Sequence, residues 1–154
     1  MNLRQITEKD QIQLKKIYFD SIKSIDESFY NDEQKFAWAS QAWKNSKFDE
    51  ILTRGKGWLI QENTDSIGFA TRYPSNKLSL FYVRGNSRRK GLGSILLNQI
   101  ENDARSEGQY FLKTEASLIS YKLLIKKNWK ILHKEKVIIN DKIFERYKMI
   151  KNLI

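Results

Sequence analysis

Cysteine is absent from the chain, and with it go disulfides, a thiolate nucleophile and sulfur-ligated metal. Histidine occurs once, at His133, on a strand face. One histidine is too few for a zinc site, which usually draws on several Cys or His ligands, and with no supporting motif it argues against a nucleophilic triad. Proline also occurs once, at Pro74, and no repeat or low-complexity linker interrupts the chain, so residues 1–154 read as a single domain. No segment reaches the roughly 18 consecutive apolar residues of a membrane span. Met1-Asn2-Leu3-Arg4-Gln5 lacks the apolar core of a signal peptide. The expectation is a cytoplasmic protein with no membrane association and no metal.

Forty per cent of the 154 residues are hydrophobic, and a chain of this size buries roughly 70% of its unfolded surface, enough for a core without staples. Basic residues exceed acidic ones by 28 to 18, a formal net charge of +10. A positive field of that size attracts polyanions, whether nucleic acid, anionic lipid or a phosphorylated cofactor. The lysines are dispersed, with no isolated basic block, so solubility alone accounts for the charge equally well.

Periodicity orders the chain. Leu3 to Ile6 is a strand, and Thr7-Glu8-Lys9-Asp10 starts a helix with Thr7 as N-cap. Leu14, Ile17, Tyr18, Ser21, Ile22 and Ile25 continue it at three- and four-residue spacings. Asn31-Asp32 opens a second helical stretch, Glu33 to about Lys44. Strand-like runs follow at Trp58 to Glu62, Ile67 to Tyr73 and Lys77 to Val83, with turn sequences between them. From Gly91 to about Ser106, Leu92, Leu96, Ile100 and Ala104 form the clearest apolar stripe of the chain. Tyr110 to Thr114 is a strand and Ser117 to Lys127 a helix, and a hairpin around Asn140-Asp141-Lys142 closes the chain. The predicted class is α/β (α+β), a mixed, mostly antiparallel sheet of about seven strands flanked by about four helices. Its order is β-α-α-β-β-β-α-β-α-β-β.

The junction that carries chemistry runs from strand 77–83 through Arg88-Arg89-Lys90 to Gly91-Leu92-Gly93-Ser94 at a helix start. A helix N-terminus presents unpaired N–H groups and the positive end of a dipole. Glycines at 91 and 93 let phosphate approach the backbone, and three basic residues add charge of the right sign. The loop is neither a dinucleotide fingerprint nor a P-loop, because the third glycine of the first and the Gly-Lys-Ser/Thr of the second are missing. The plain alternative is a basic turn before an ordinary helix.

Phe81-Tyr82-Val83 followed by Arg88-Arg89-Lys90-Gly91-Leu92-Gly93-Ser94 and Leu96-Leu97 resembles the acetyl-CoA-binding motif of the GNAT superfamily of N-acetyltransferases, R/Q-x-x-G-x-G/A. The likeness extends to Thr114-Glu115-Ala116-Ser117, to the closing hairpin, and upstream to Phe29-Tyr30, Glu33-Gln34 and Ala37-Trp38-Ala39, which are similar to one small bacterial branch. It covers nearly the whole chain. It implies a single N-acetyltransferase domain in which Arg88, Arg89, Lys90, Gly91, Leu92, Gly93 and Ser94 hold the CoA pyrophosphate. Pantetheine would lie along Tyr82 and Val83, and the Val83 N–H would serve as oxyanion donor.

The implied reaction is direct attack of a primary amine on the thioester of acetyl-CoA, both substrates being bound together. A base must take the amine's proton, since an alkyl amine has a pKa of about 10.4. Glu115 is the first candidate and Glu33 the second, each weighed against being an ordinary surface acid. The family's proton-donating tyrosine falls at Leu124, its glycine at Asn128 and its CoA-contacting asparagine at Ser117. Tyr121, on nearly the same helical face as Leu124, is the candidate replacement. Tyr30 and Trp38 are expected at the acceptor site, whereas Phe36 and Trp43 are expected to pack helices onto the sheet. Acceptors still open are a small amine, a polyamine, a protein amino group or an aminoacyl-tRNA. The alternatives are a basic nucleic-acid-binding module and a catalytically degenerate CoA-binding protein. Steep salt dependence would mark the module, and no nucleic-acid motif is present. A homodimer stays open.

Overall fold

A computed structural model describes residues 1–87 and 91–154; Arg88, Arg89 and Lys90 lie outside the described residues. Seven strands and six α-helices are found among the described residues, in the order β1 (Asn2–Gln5), α1 (Gln11–Lys23), α2 (Asp32–Ala39), α3 (Gln41–Lys44), α4 (Ser46–Arg54), β2 (Lys56–Glu62), β3 (Asp65–Arg72), β4 (Leu78–Val83), α5 (Leu92–Ser106), β5 (Phe111–Ala116), α6 (Tyr121–Lys126), β6 (Lys130–Ile139) and β7 (Lys142–Asn152). The strand-helix order is the predicted one, except that the second helical stretch is resolved into α2 and α3 and is followed by α4, which was not expected.

That break has local causes. Asn31 caps α2 with a reciprocal box, its side chain accepting the Gln34 N–H at 2.8 Å while the Gln34 side chain accepts the Asn31 N–H at 2.9 Å. At the other end the Ser40 hydroxyl bonds back to the Phe36 carbonyl at 2.7 Å, a contact that competes with regular helix. Asn45 then caps α4 through the Lys47 N–H. Phe48 and Leu52 are the buried pair of α4. At the first helix the predicted start is a 3-10 turn over Glu8–Asp10, and Arg4 and the Thr7 N–H both bond the buried Asp10 carboxylate.

The strands form two antiparallel sheets, β1-β2-β3-β4 and β5-β7-β6. The β6–β7 hairpin turns on Asn140 and Asp141 at φ 47° and 66°, the left-handed pair of a two-residue turn. Helix α5 packs one face of the first sheet, burying Leu92, Leu96, Leu97, Ile100 and Ala104 with Leu112, Leu124 and Met149. Helices α1 to α4 cover the other face through Leu14, Ile17, Ile22, Leu52, Leu59 and Phe69. Phe36 and Trp43 do not join either core. Both are 56% exposed, Phe36 under the Lys44 ammonium and Trp43 against the edge of Phe19. In the short α2 and α3 the inward positions fall to Ala37, Ala39 and Ala42. No helix of the described residues is long and apolar enough to cross a membrane.

Candidate active site

The two sheets meet at β4 and β5 and then part. A parallel bridge joins Lys77 to Lys113, and the Thr114 hydroxyl donates to the Leu78 carbonyl at 2.7 Å, occupying an acceptor that a neighbouring strand would use. Beyond that point β4 pairs with β3 alone. The Arg84 N–H bonds the Ile67 carbonyl of β3 at 2.8 Å. Because successive N–H groups of a strand face opposite edges, the N–H of Val83 faces away from β3, toward the parting.

A cleft of about 240 Å³ fills the parting. Its walls are Phe81, Tyr82 and Val83 on β4 against Ser117, Ile119, Ser120 and Leu123, with Ile22, Ile25 and Trp38 above. Gly91, Leu92, Gly93 and Ser94 form one end. Gly91 caps α5 at φ 76°, a conformation open to glycine and costly to a residue with a Cβ. Its carbonyl takes the Ile95 N–H at 3.2 Å. Among the described residues, no side chain accepts from the N–H groups of Leu92, Gly93 or Ser94, and no acid stands in the first turn of α5. A Cβ on Gly93 would come 2.9 Å from Leu123 Cδ2 and 3.2 Å from Phe81 Cζ, so this glycine serves the packing of the cleft walls directly. Ser117 caps the turn before α6, its hydroxyl accepting the N–H groups of Ser120 at 3.1 Å and Ile119 at 3.2 Å.

Tyr82, Trp38 and Ser117 also line a second opening, of about 200 Å³. Tyr30 is buried there, accepting the Leu118 N–H at 3.0 Å. Burial pushes the phenols of Tyr82 and Tyr30 up, so both stay protonated near neutrality. Glu115 lines the same opening and accepts from Lys77 at 2.9 Å, with Arg146 at 3.9 Å. Burial pushes its carboxyl up, but the Lys77 bond and the charges of Lys77, Arg146 and Lys148 outweigh this and hold it below the ordinary value.

The predicted residues therefore divide. Tyr82, Val83, Gly91, Leu92, Gly93, Ser94, Ser117 and Trp38 share the cleft, and Tyr30 and Glu115 share the second opening. Tyr121 lines neither; its ring lies 4.4 Å from that of Tyr147. Glu33 is on the surface, 2.7 Å from Lys142. Leu124 is buried in the core, and Asn128 ends α6 at φ 70°, a left-handed position where asparagine stands in for glycine. Lys77, Phe144 and Arg146 were not anticipated in the second opening. The two-residue alternation of β7 puts 144 and 146 on one face, but nothing local says which face meets Trp38.

The Acetyltransferase (GNAT) family model matches residues 18–123. No curated protein sequence matches the chain. Among solved structures, a GCN5-related N-acetyltransferase from Rhodopseudomonas palustris is similar at TM-score 0.91 and 24% identity, covering 98% of this chain and 94% of its own. The PaiA N-acetyltransferase from Thermoplasma acidophilum, in complex with coenzyme A, superposes at TM-score 0.77 and 16% identity, covering 99% of both chains. The yncA protein of Salmonella typhimurium, with its cofactor acetyl-CoA, does so at TM-score 0.68 and 16% identity over 100% of this chain and 94% of its own. Since the matched segment spans well over half of the 154 residues and runs from α1 through the parting of the sheets into α6, the chain belongs to the GNAT family of acetyltransferases.

Proposed function

We propose that this chain transfers the acetyl group of acetyl-CoA to a primary amine by direct attack, with both substrates bound at once. The observation that carries the reading is an N–H on β4, that of Val83, which has no partner among the described residues and lies in the same cleft as the uncapped start of α5, next to Tyr82, which lines the second opening. The residues fit the co-substrate. The amides of Leu92, Gly93 and Ser94 point a dipole end at one end of the cleft, where a pyrophosphate is favoured, and Arg88, Arg89 and Lys90 directly precede them in sequence. The unpaired edge of β4 offers hydrogen bonds to the amide groups of a pantetheine arm. Val83 N–H donates to the thioester oxygen as charge develops there, an interaction worth most in a dry, preorganised site.

The amine arrives through the second opening, past Tyr82 and Ser117. Its nitrogen forms the new bond to the acyl carbon, the carbon–sulfur bond breaks, and the thiolate of coenzyme A leaves. Glu115 stays ionised and holds a water or the amine itself, through which the surplus proton departs. A thiol of pKa about 8.5 leaves tolerably well without a dedicated acid, which suits a site with Leu124 at the usual tyrosine position. The coenzyme A and acetyl-CoA complexes of the two relatives support the choice of donor. Titration of coenzyme A by calorimetry, beside thiol release from acetyl-CoA over a panel of amines, tests the reading. Absence of heat at millimolar coenzyme A sinks it.

A further inference from the structure

The second opening has a chemistry of its own. Four rings from separate parts of the chain converge on it. Trp38 lies 5.3 Å from Tyr30, 6.2 Å from Phe144 and 6.3 Å from Tyr82, centroid to centroid, and Tyr30 lies 5.8 Å from Phe144. Val137 and Ile139 extend this apolar wall. The charged wall opposite is made of Lys77, Glu115, Glu145 and Arg146, and these groups are already occupied. Lys77 donates to Glu115 at 2.9 Å, Lys134 to Glu145 at 2.8 Å, and Arg146 to Glu135 at 2.5 Å.

Two lining cations against two lining carboxylates leave no surplus of negative charge, and the whole chain carries +10. A ligand with several ammonium groups finds no unpaired carboxylate here and is repelled at long range. The roughly 200 Å³ of space falls below the ~300–1,000 Å³ of sites for drug-sized ligands. What the wall does offer is ring edges and faces, which attract both an aromatic body and a single ammonium.

Taking the amine acetyltransferase reading as given, we propose that the acceptor is a small arylalkyl monoamine. Its ring packs among Tyr30, Trp38 and Phe144, and its nitrogen reaches past Tyr82 and Ser117 into the cleft.

The test compares 2-phenylethylamine, spermidine and kanamycin as acceptors in acetyl-CoA-dependent thiol release. Saturation-transfer NMR of each amine is run alongside, with and without coenzyme A. The expected result is a kcat/KM for 2-phenylethylamine at least tenfold above that of the two polycations. Phe144→Leu, which keeps an apolar side chain in the buried site, raises KM for 2-phenylethylamine several-fold and leaves coenzyme A affinity within twofold; Phe144→Ala does so more strongly. Preference for spermidine or kanamycin overturns the acceptor class and leaves acetyl transfer standing. If no amine is turned over, the NMR decides. Contact with 2-phenylethylamine that weakens in Phe144→Leu upholds the pocket's selectivity even as the transfer reading fails, and absence of contact overturns it.

Discussion

The phenol oxygen of Tyr30 accepts the backbone N–H of Leu118 at 3.0 Å, tying the loop before α2 to the loop before α6. Tyr30 lines the second opening, and Leu118 follows Ser117 of the same opening. Tyr30→Phe keeps the ring packing against Trp38 and Phe144 but leaves the half-buried Leu118 N–H without its partner. A loss of about 1–2 kcal/mol is expected, seen as a lower denaturant midpoint at unchanged m-value. In the acetylation assay KM for the amine rises while coenzyme A affinity moves less than twofold. An unshifted midpoint would show the tie to be immaterial.

What could be read from sequence follows from range. The stripe of α5 was legible because Leu92, Leu96, Ile100 and Ala104 keep one helical period over four turns, and all four are buried. The cleft end was legible because Gly91 and Gly93 stand where a strand gives way to that helix. Helix α4 was not, since only Phe48 and Leu52 mark its inner face. The exposure of Phe36 and Trp43 was not legible either, because ring size suggests burial and the helices are too short to show a face. The charged wall around Glu115 is assembled from Lys77 just before β4, from β5 and from β7, and the register Glu115–Lys148 and Ala116–Tyr147 brings the last two together.

Gly91 and Gly93 fail differently when given a side chain. At Gly91 no described residue stands within 4 Å of a Cβ, but φ is 76°, so Gly91→Val is opposed by backbone strain, of order 1–2 kcal/mol or more for a β-branched residue. The loop is expected to shift and coenzyme A affinity to fall at least tenfold, with cooperative unfolding retained. At Gly93 the obstacle is the mobile end of Leu123 and the ring of Phe81. Gly93→Ala is therefore expected to fold, and to weaken coenzyme A by pushing those side chains into the cleft. Calorimetry and thermal unfolding on the two variants separate the effects; undiminished affinity in Gly91→Val would contradict the phosphate assignment.

Tyr121 is the tyrosine of α6, half-buried with its ring against Tyr147. Tyr121→Phe preserves that packing and removes only the hydroxyl. If the thiolate departs unassisted, kcat stays within about twofold, whereas a general acid would contribute on the order of 10²-fold or more. A single-turnover measurement of acetyl transfer distinguishes the two. A fall of a hundredfold at unchanged stability would restore the phenol as proton donor.

The charge state of Glu115 bears on how stability and rate are expected to depend on pH. Burial opposes its ionisation, but Lys77, Arg146 and Lys148 prevail and its carboxyl sits below the ordinary value. A depressed carboxyl contributes stability above its unfolded pKa, about 4.3, and loses it as pH falls through the lower folded value. Asp10 is depressed too, chiefly by the Arg4 bond, so acid unfolding is expected below about pH 4 and stability should be flat between pH 6 and 9. Across that same range Glu115 remains charged and contributes no limb to kcat/KM. The rise with pH is set instead by the amine, pKa about 10.4, with a log–log slope near one. Glu115→Gln is expected to lower the whole profile about tenfold and leave its slope unchanged, with loss of the Lys77 bond costing about 1–2 kcal/mol in stability. A wild-type limb near pH 6–7 that disappears in Glu115→Gln would mean that the carboxyl titrates during turnover, and that its paired neighbours do not keep it charged.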